Sequence, residues 1–89
     1  MIDLNVLRNG NEKVQNEVIK AVYHSSIHYC LWRIKQQGAT LETARDLFQD
    51  AILIFLERIQ QEPSFELSVA PKYYLYRIML NKFVDQIRN

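Results

Sequence analysis

Apolar residues recur at helical spacing along most of this chain. In the last stretch Tyr76, Met79, Leu80, Phe83 and Ile87 stand three or four positions apart, which puts them on one side of a helix and predicts that they face a core. Arg77, Asn81, Asp85 and Arg88 share a second side. Pro71 suits the first turn of this helix, where its missing N–H costs nothing. Positions 43–61 predict another helix at about 100 degrees per residue. Ala44, Phe48, Ala51, Ile52, Phe55 and Ile59 gather on one side of it, and Asp46, Gln49, Asp50, Leu53 and Glu57 on the other. Leu53 breaks that segregation. Flanked by Ile54 and Leu56, it makes an apolar centre with a polar rim, the usual build of a partner surface.

Upstream, Asn11 can cap a long helix reaching about Gln37, with Glu12 in its first turn and Val14, Val18, Ile19, Val22, Tyr23, Ile27, Cys30, Leu31 and Ile34 as its apolar set. Gly38 supplies a helix-ending position, and Thr40 or Thr43 can cap the helix that follows. Residues 1–10 read as a short amphipathic helix through Ile2, Leu4, Val6 and Leu7, stopped by Asn9-Gly10, a pair suited to left-handed backbone. Glu62-Pro63 ends the 43–61 helix, since the residue before proline is pushed out of helical geometry. The loop from Ser64 to Pro71 is long for a helix connection, and its Phe65, Leu67 and Val69 predict partial packing on the domain. The expected fold is all-α: one domain over 1–89, a compact bundle of three main helices plus a short N-terminal helix.

Composition supports that picture. The 89 residues are 48% hydrophobic, enough for one small core, and only two Gly and two Pro interrupt long helix-favouring intervals. The single Cys30 cannot form an internal disulfide, no apolar run approaches a membrane span, and the N-terminus lacks the features of a signal peptide. A soluble protein of the reducing cytoplasm is expected. The net charge of +1 is unevenly spread: residues 39–71 carry −4 and residues 72–89 carry +3. An acidic middle before a basic end suits two surfaces that meet different partners.

The candidate chemistry is that of binding. His24 and His28 stand four apart, yet no nearby Cys, Asp or Glu completes a metal ligand set. Without a nucleophile–His–acid arrangement, a Gly-rich phosphate loop or paired cysteines, neither an enzyme, a cofactor nor a small-molecule substrate is expected. Trp32 and Tyr29 could anchor a partner, though aromatics at helical spacing are more often core or rim, and Cys30 reads as a small buried hydrophobe. Tyr73, Tyr74 and Tyr76 crowd the first turn of the last helix, with Lys72, Arg77, Lys82 and Arg88 spaced along it. Exposed rings can stack on unpaired bases at about 1–3 kcal/mol each while cations neutralise phosphates. That combination points to single-stranded nucleic acid.

Two stretches match something more specific. Ala44-Arg45-Asp46-Leu47-Phe48-Gln49-Asp50 is followed by an apolar helix, a loop, and Tyr74-Leu75-Tyr76-Arg77-Ile78 with Asn81, Asp85 and Arg88. This resembles the sigma-70 family, and more closely the second conserved region of the bacterial extracytoplasmic-function sigma factors, over essentially the whole chain and most strongly over 44–88. The resemblance implies a helical domain that binds core RNA polymerase, docking Asp46, Gln49, Asp50 and Leu53 on the clamp helices of the largest subunit. It also implies recognition and melting of the minus-ten promoter element in transcription initiation, drawing the DNA-contacting groups from Lys72, Tyr73, Tyr74, Arg77, Asn81, Lys82 and Arg88. The loop Phe65, Glu66, Leu67, Ser68 and Val69 would help hold a flipped non-template base, and an anti-sigma factor is a further implied partner.

The sequence departs from the family pattern at three points. Arg45 stands where the family has Glu, Tyr74 where Trp is common, and Leu80 where an Arg often precedes the motif Asn. Family members also continue past the position of Arg88 into a linker and a helix-turn-helix domain that reads the minus-thirty-five element. The expectation is a chain without that domain, as either an excised domain or an unusual short protein. The alternative expectation is a helical interaction domain, or a regulator that binds polymerase or another protein without reading promoters.

Overall fold

The computed structural model describes residues 4–88. Four helices follow one another, α1 (Leu4–Asn9), α2 (Glu12–Gln36), α3 (Leu41–Gln61) and α4 (Pro71–Arg88), and no strand occurs among the described residues. The expected all-α bundle of three main helices and a short N-terminal one is the observed architecture. At a rise of about 1.5 Å per residue, the 25 residues of α2 account for the 38 Å long dimension of the molecule. α4 lies against both α2 and α3, most extensively against α2, and α1 also packs against both.

The helix ends follow local chemistry. Asn11 sits in extended backbone and its side-chain oxygen accepts from the Val14 N–H at 2.9 Å, capping α2. Thr40, rather than Thr43, caps α3: its hydroxyl accepts from the Thr43 N–H at 3.1 Å, so the helix begins two residues earlier than its apolar pattern suggests. Gly38 ends α2 in left-handed backbone, with φ +105°. Gly10 does not share that conformation; Gly38 is the only positive-φ glycine among the described residues. Glycine is needed at position 10 for a different reason. Its N–H donates to the Val6 carbonyl at 2.8 Å, and an added Cβ would stand 2.4 Å from that oxygen.

The core is centred on α3. Ala44, Phe48, Ala51, Ile52, Phe55 and Ile59 are all buried, as their spacing requires, and Leu47 joins them. They meet Cys30 and Ile34 of α2 and Leu75, Tyr76 and Met79 of α4. Each fully buried large side chain contributes about 1.5–3 kcal/mol.

The stripe expected on α4 is only partly right. Tyr76 and Met79 are buried, Leu80 and Phe83 half-buried, but Ile87 is 66% exposed. Residues 85–88 are all exposed, so the last described turn has no neighbouring helix to pack against. At the other end Leu75 is fully buried, because α4 is wedged between two helices and buries a wider arc than one stripe. On α1, Leu4 and Leu7 are buried; the expected contribution of Ile2 lies outside the described residues. Among the described residues no helix is long and apolar enough to cross a membrane.

Candidate functional site

The outer side of α3 is as its sequence predicts. Asp46, Gln49, Asp50, Leu53 and Glu57 are all exposed, Leu53 at 58%, with Ile54 and Leu56 half-buried beside it. This face adjoins that of α4, since Lys82 Nζ stands 4.0 Å from Asp50 Oδ2. So exposed an ion pair contributes little to stability, but it fixes how near the two candidate surfaces are.

On α4, Arg77, Asn81 and Arg88 are exposed, and Lys72 and Lys82 are half-buried. The three tyrosines do not form one exposed platform. Successive helical positions diverge by about 100 degrees, so a helix wedged between two others sends them to different neighbours. Tyr73 points outward and is 47% exposed. Tyr76 is buried against α2. Tyr74 is half-buried, its ring centroid 5.7 Å from that of Phe55 and 5.4 Å from that of Phe65.

Arg58, which the sequence reading did not single out, organises the junction of α3, the loop and α4. Its Nε pairs with Glu62 Oε2 at 2.8 Å, its Nη1 donates to the Tyr74 hydroxyl at 2.7 Å, and its guanidinium lies 4.6 Å from the Phe65 ring centroid. Glu62 first, and Tyr74 second, push its pKa above the ordinary value, so it is held charged. Arg58, Tyr74, Arg77, Ile78 and Asn81 line an open groove of about 380 Å³. The four-residue spacing of Arg58 and Glu62 is legible in the sequence; the contacts with Phe65 and Tyr74 arise only in the fold.

Within the loop, Phe65 and Leu67 are half-buried, whereas Glu66 and Ser68 are exposed. Val69 is 47% exposed, so the packing expected of it does not occur. The loop is held from across the molecule by Arg8. Its Nε donates to the Ile59 carbonyl at 3.1 Å, and its Nη2 to the carbonyls of Glu62 at 3.3 Å and Phe65 at 2.5 Å. The Ile59 carbonyl lies in the last turn of α3, where helical partners run out, and the Glu62 carbonyl also accepts from the Phe65 N–H at 2.9 Å. Gln15 and Gln60 both donate to the Leu7 carbonyl, at 3.0 and 2.9 Å, and fasten α1 to the same corner.

On the opposite flank of α4, residues of α2 join the tyrosines. Arg33 Nη1 donates to the Tyr29 hydroxyl at 2.8 Å, and the Arg33 guanidinium lies 4.5 Å from the Tyr76 ring centroid. Lys72 Nζ stands 5.1 Å from the Tyr29 centroid and 5.2 Å from that of Tyr73. Beneath them the buried Cys30 thiol donates to the Lys72 carbonyl at 3.4 Å, and burial pushes its pKa up to about 12. Such a thiol is a packing group, with little thiolate near neutral pH. His24 and His28 are exposed, and no cluster of three or more His, Cys, Asp or Glu residues suited to a metal occurs among the described residues.

No family model matches the chain, and comparison with curated proteins and with solved structures likewise gives no match.

Proposed function

We propose that this chain is a promoter-recognition module of the sigma-factor type, which binds core RNA polymerase through α3 and the minus-ten promoter element through α4 and the loop before it. One observation carries this reading. Two outer faces of opposite character adjoin on one bundle: Asp46, Gln49, Asp50 and the exposed Leu53 on α3, and Tyr73, Arg77, Asn81, Lys82 and Arg88 on α4, meeting at Asp50 and Lys82. The first has the apolar centre and polar rim of a protein-docking patch, and the second has the cations and the accessible ring suited to an unpaired strand. In this role the chain works in the cytoplasm by binding alone, without covalent chemistry or a cofactor. An anti-sigma factor is a further partner of the same reading.

The deciding experiment measures two affinities of the same purified chain, one for core polymerase and one for single-stranded non-template minus-ten oligonucleotides at low salt. Promoter recognition predicts weak, strongly salt-dependent oligonucleotide binding by the chain alone, strengthened when polymerase is present. Polymerase binding with no detectable oligonucleotide binding, alone or in the complex, would refute it. That outcome favours the second reading, a helical regulator that binds polymerase or another protein without reading promoters. The half-burial of Tyr74, with its hydroxyl engaged by Arg58, supports this second reading, because it removes one ring from the accessible aromatic surface.

A further inference from the structure

We infer that α2 supplies a second part of the nucleic-acid surface: Arg33 and Lys72, set against Tyr29, Tyr73 and Tyr76, form a site for the phosphates of a single strand whose base stacks on Tyr73. The inference rests on the nucleic-acid reading above and extends it to a helix and a residue, Arg33, which that reading does not use.

The cluster has three properties that favour this ligand. Among the described residues its cations have no counter-ion within 4.0 Å, the ion pairs there being Arg58–Glu62 and Lys82–Asp50. Its surroundings are poor in acid too. Positions 18–36 of α2 and 71–84 of α4 contain no Asp or Glu, yet they carry Lys20, Arg33, Lys35, Lys72, Arg77 and Lys82. The two cations are also positioned rather than free. Both lie within 6 Å of the Tyr29 centroid, at 5.6 Å for Arg33 and 5.1 Å for Lys72, and the bond from Arg33 to the Tyr29 hydroxyl fixes the guanidinium further. The side-chain entropy that a phosphate contact usually costs has thus been partly spent in folding.

Two features add to the charge. The Arg33 guanidinium lies 4.5 Å from the Tyr76 ring centroid, and the buried Tyr76 hydroxyl has no hydrogen-bond partner. Tyr73 is 47% exposed and meets Tyr29 edge-on, with centroids 5.3 Å apart and planes at 85°, which leaves its ring presented at the border of the cationic cluster. A stacking ring beside unpaired cations suits a nucleotide better than an acidic peptide, which needs the charge but not the ring.

The test is the salt dependence of binding to a mixed-sequence single-stranded DNA oligonucleotide, measured for the wild type and for R33Q, K72Q and K13Q. Each lost phosphate contact should lower the slope of log affinity against log salt by about 0.7. R33Q and K72Q should each show that decrease, R33K should keep the wild-type slope, and K13Q, at the far end of α2, should not change it. Thermal melts accompany each variant; if R33Q fails to fold, K72Q decides. An unchanged slope in a folded R33Q or K72Q that still binds overturns the inference and leaves the nucleic-acid reading standing. Absence of binding by the wild type at low salt, alone or on polymerase, removes both. A polyglutamate peptide whose binding weakens in R33Q while the DNA slope does not would assign the cluster to an acidic protein partner and overturn the inference too.

Discussion

The Arg58 guanidinium donates to the Tyr74 hydroxyl at 2.7 Å and joins the end of α3 to the first turn of α4. Tyr74 therefore has two separable roles, a ring packed on Phe55 and Phe65 and a hydroxyl that orients Arg58 toward the groove shared with Arg77 and Asn81. Tyr74→Ala should lower stability by about 2 kcal/mol, less than the loss of a fully buried ring. Tyr74→Phe should melt close to wild type but weaken oligonucleotide binding if the groove takes part in it. Equal binding by Tyr74→Phe and wild type would limit Tyr74 to packing.

Arg8 is expected to control the loop from a distance. It donates to the carbonyls of Ile59, Glu62 and Phe65; Glu62 keeps its bond from the Phe65 N–H, so Arg8→Ala leaves the Ile59 and Phe65 carbonyls to water or unpaired, at a cost of about 1–3 kcal/mol. Hydrogen exchange should rise in α1 and in residues 62–67 more than in α2. Arg8→Lys should recover only part of the protection, because a single ammonium cannot reproduce the guanidinium fork.

Leu53 separates docking from folding. At 58% exposure, Leu53→Asp should change unfolding free energy by no more than about 0.5 kcal/mol and leave helical circular dichroism intact. Polymerase binding should be lost if this face docks there. Phe55→Ala, two positions away but fully buried, should cost about 3–5 kcal/mol. A large loss of stability in Leu53→Asp would contradict the placement of this side chain.

Cys30 makes stability sensitive to alkali. Burial raises its pKa from 9.0 to about 12, so the thiol deprotonates more readily in the unfolded chain than in the folded one. The corresponding stability is fully present below pH 9 and declines as pH rises toward 12. Urea midpoints should fall more steeply over this range for wild type than for Cys30→Ala, which lacks the thiol. Parallel curves would show that the thiol is not desolvated.

Much of this protein is determined by its sequence through local physics. Helical periodicity, the Asn11 cap, the left-handed Gly38 and the break at Glu62-Pro63 dictate four helices, because each depends on residues within a few positions of one another. The buried face of α3 and the exposed Leu53 follow in the same way. The tertiary structure decided what periodicity cannot encode. It buried Leu75, half-buried Tyr74 and left Tyr73 outside, because α4 is wedged between α2 and α3. It brought Arg8 to Phe65, 57 positions away, and Arg33 to Tyr76 across the α2–α4 interface. Those contacts depend on helix packing rather than on neighbours in the chain, so the cations that organise both flanks of α4 could be identified only once the bundle was assembled.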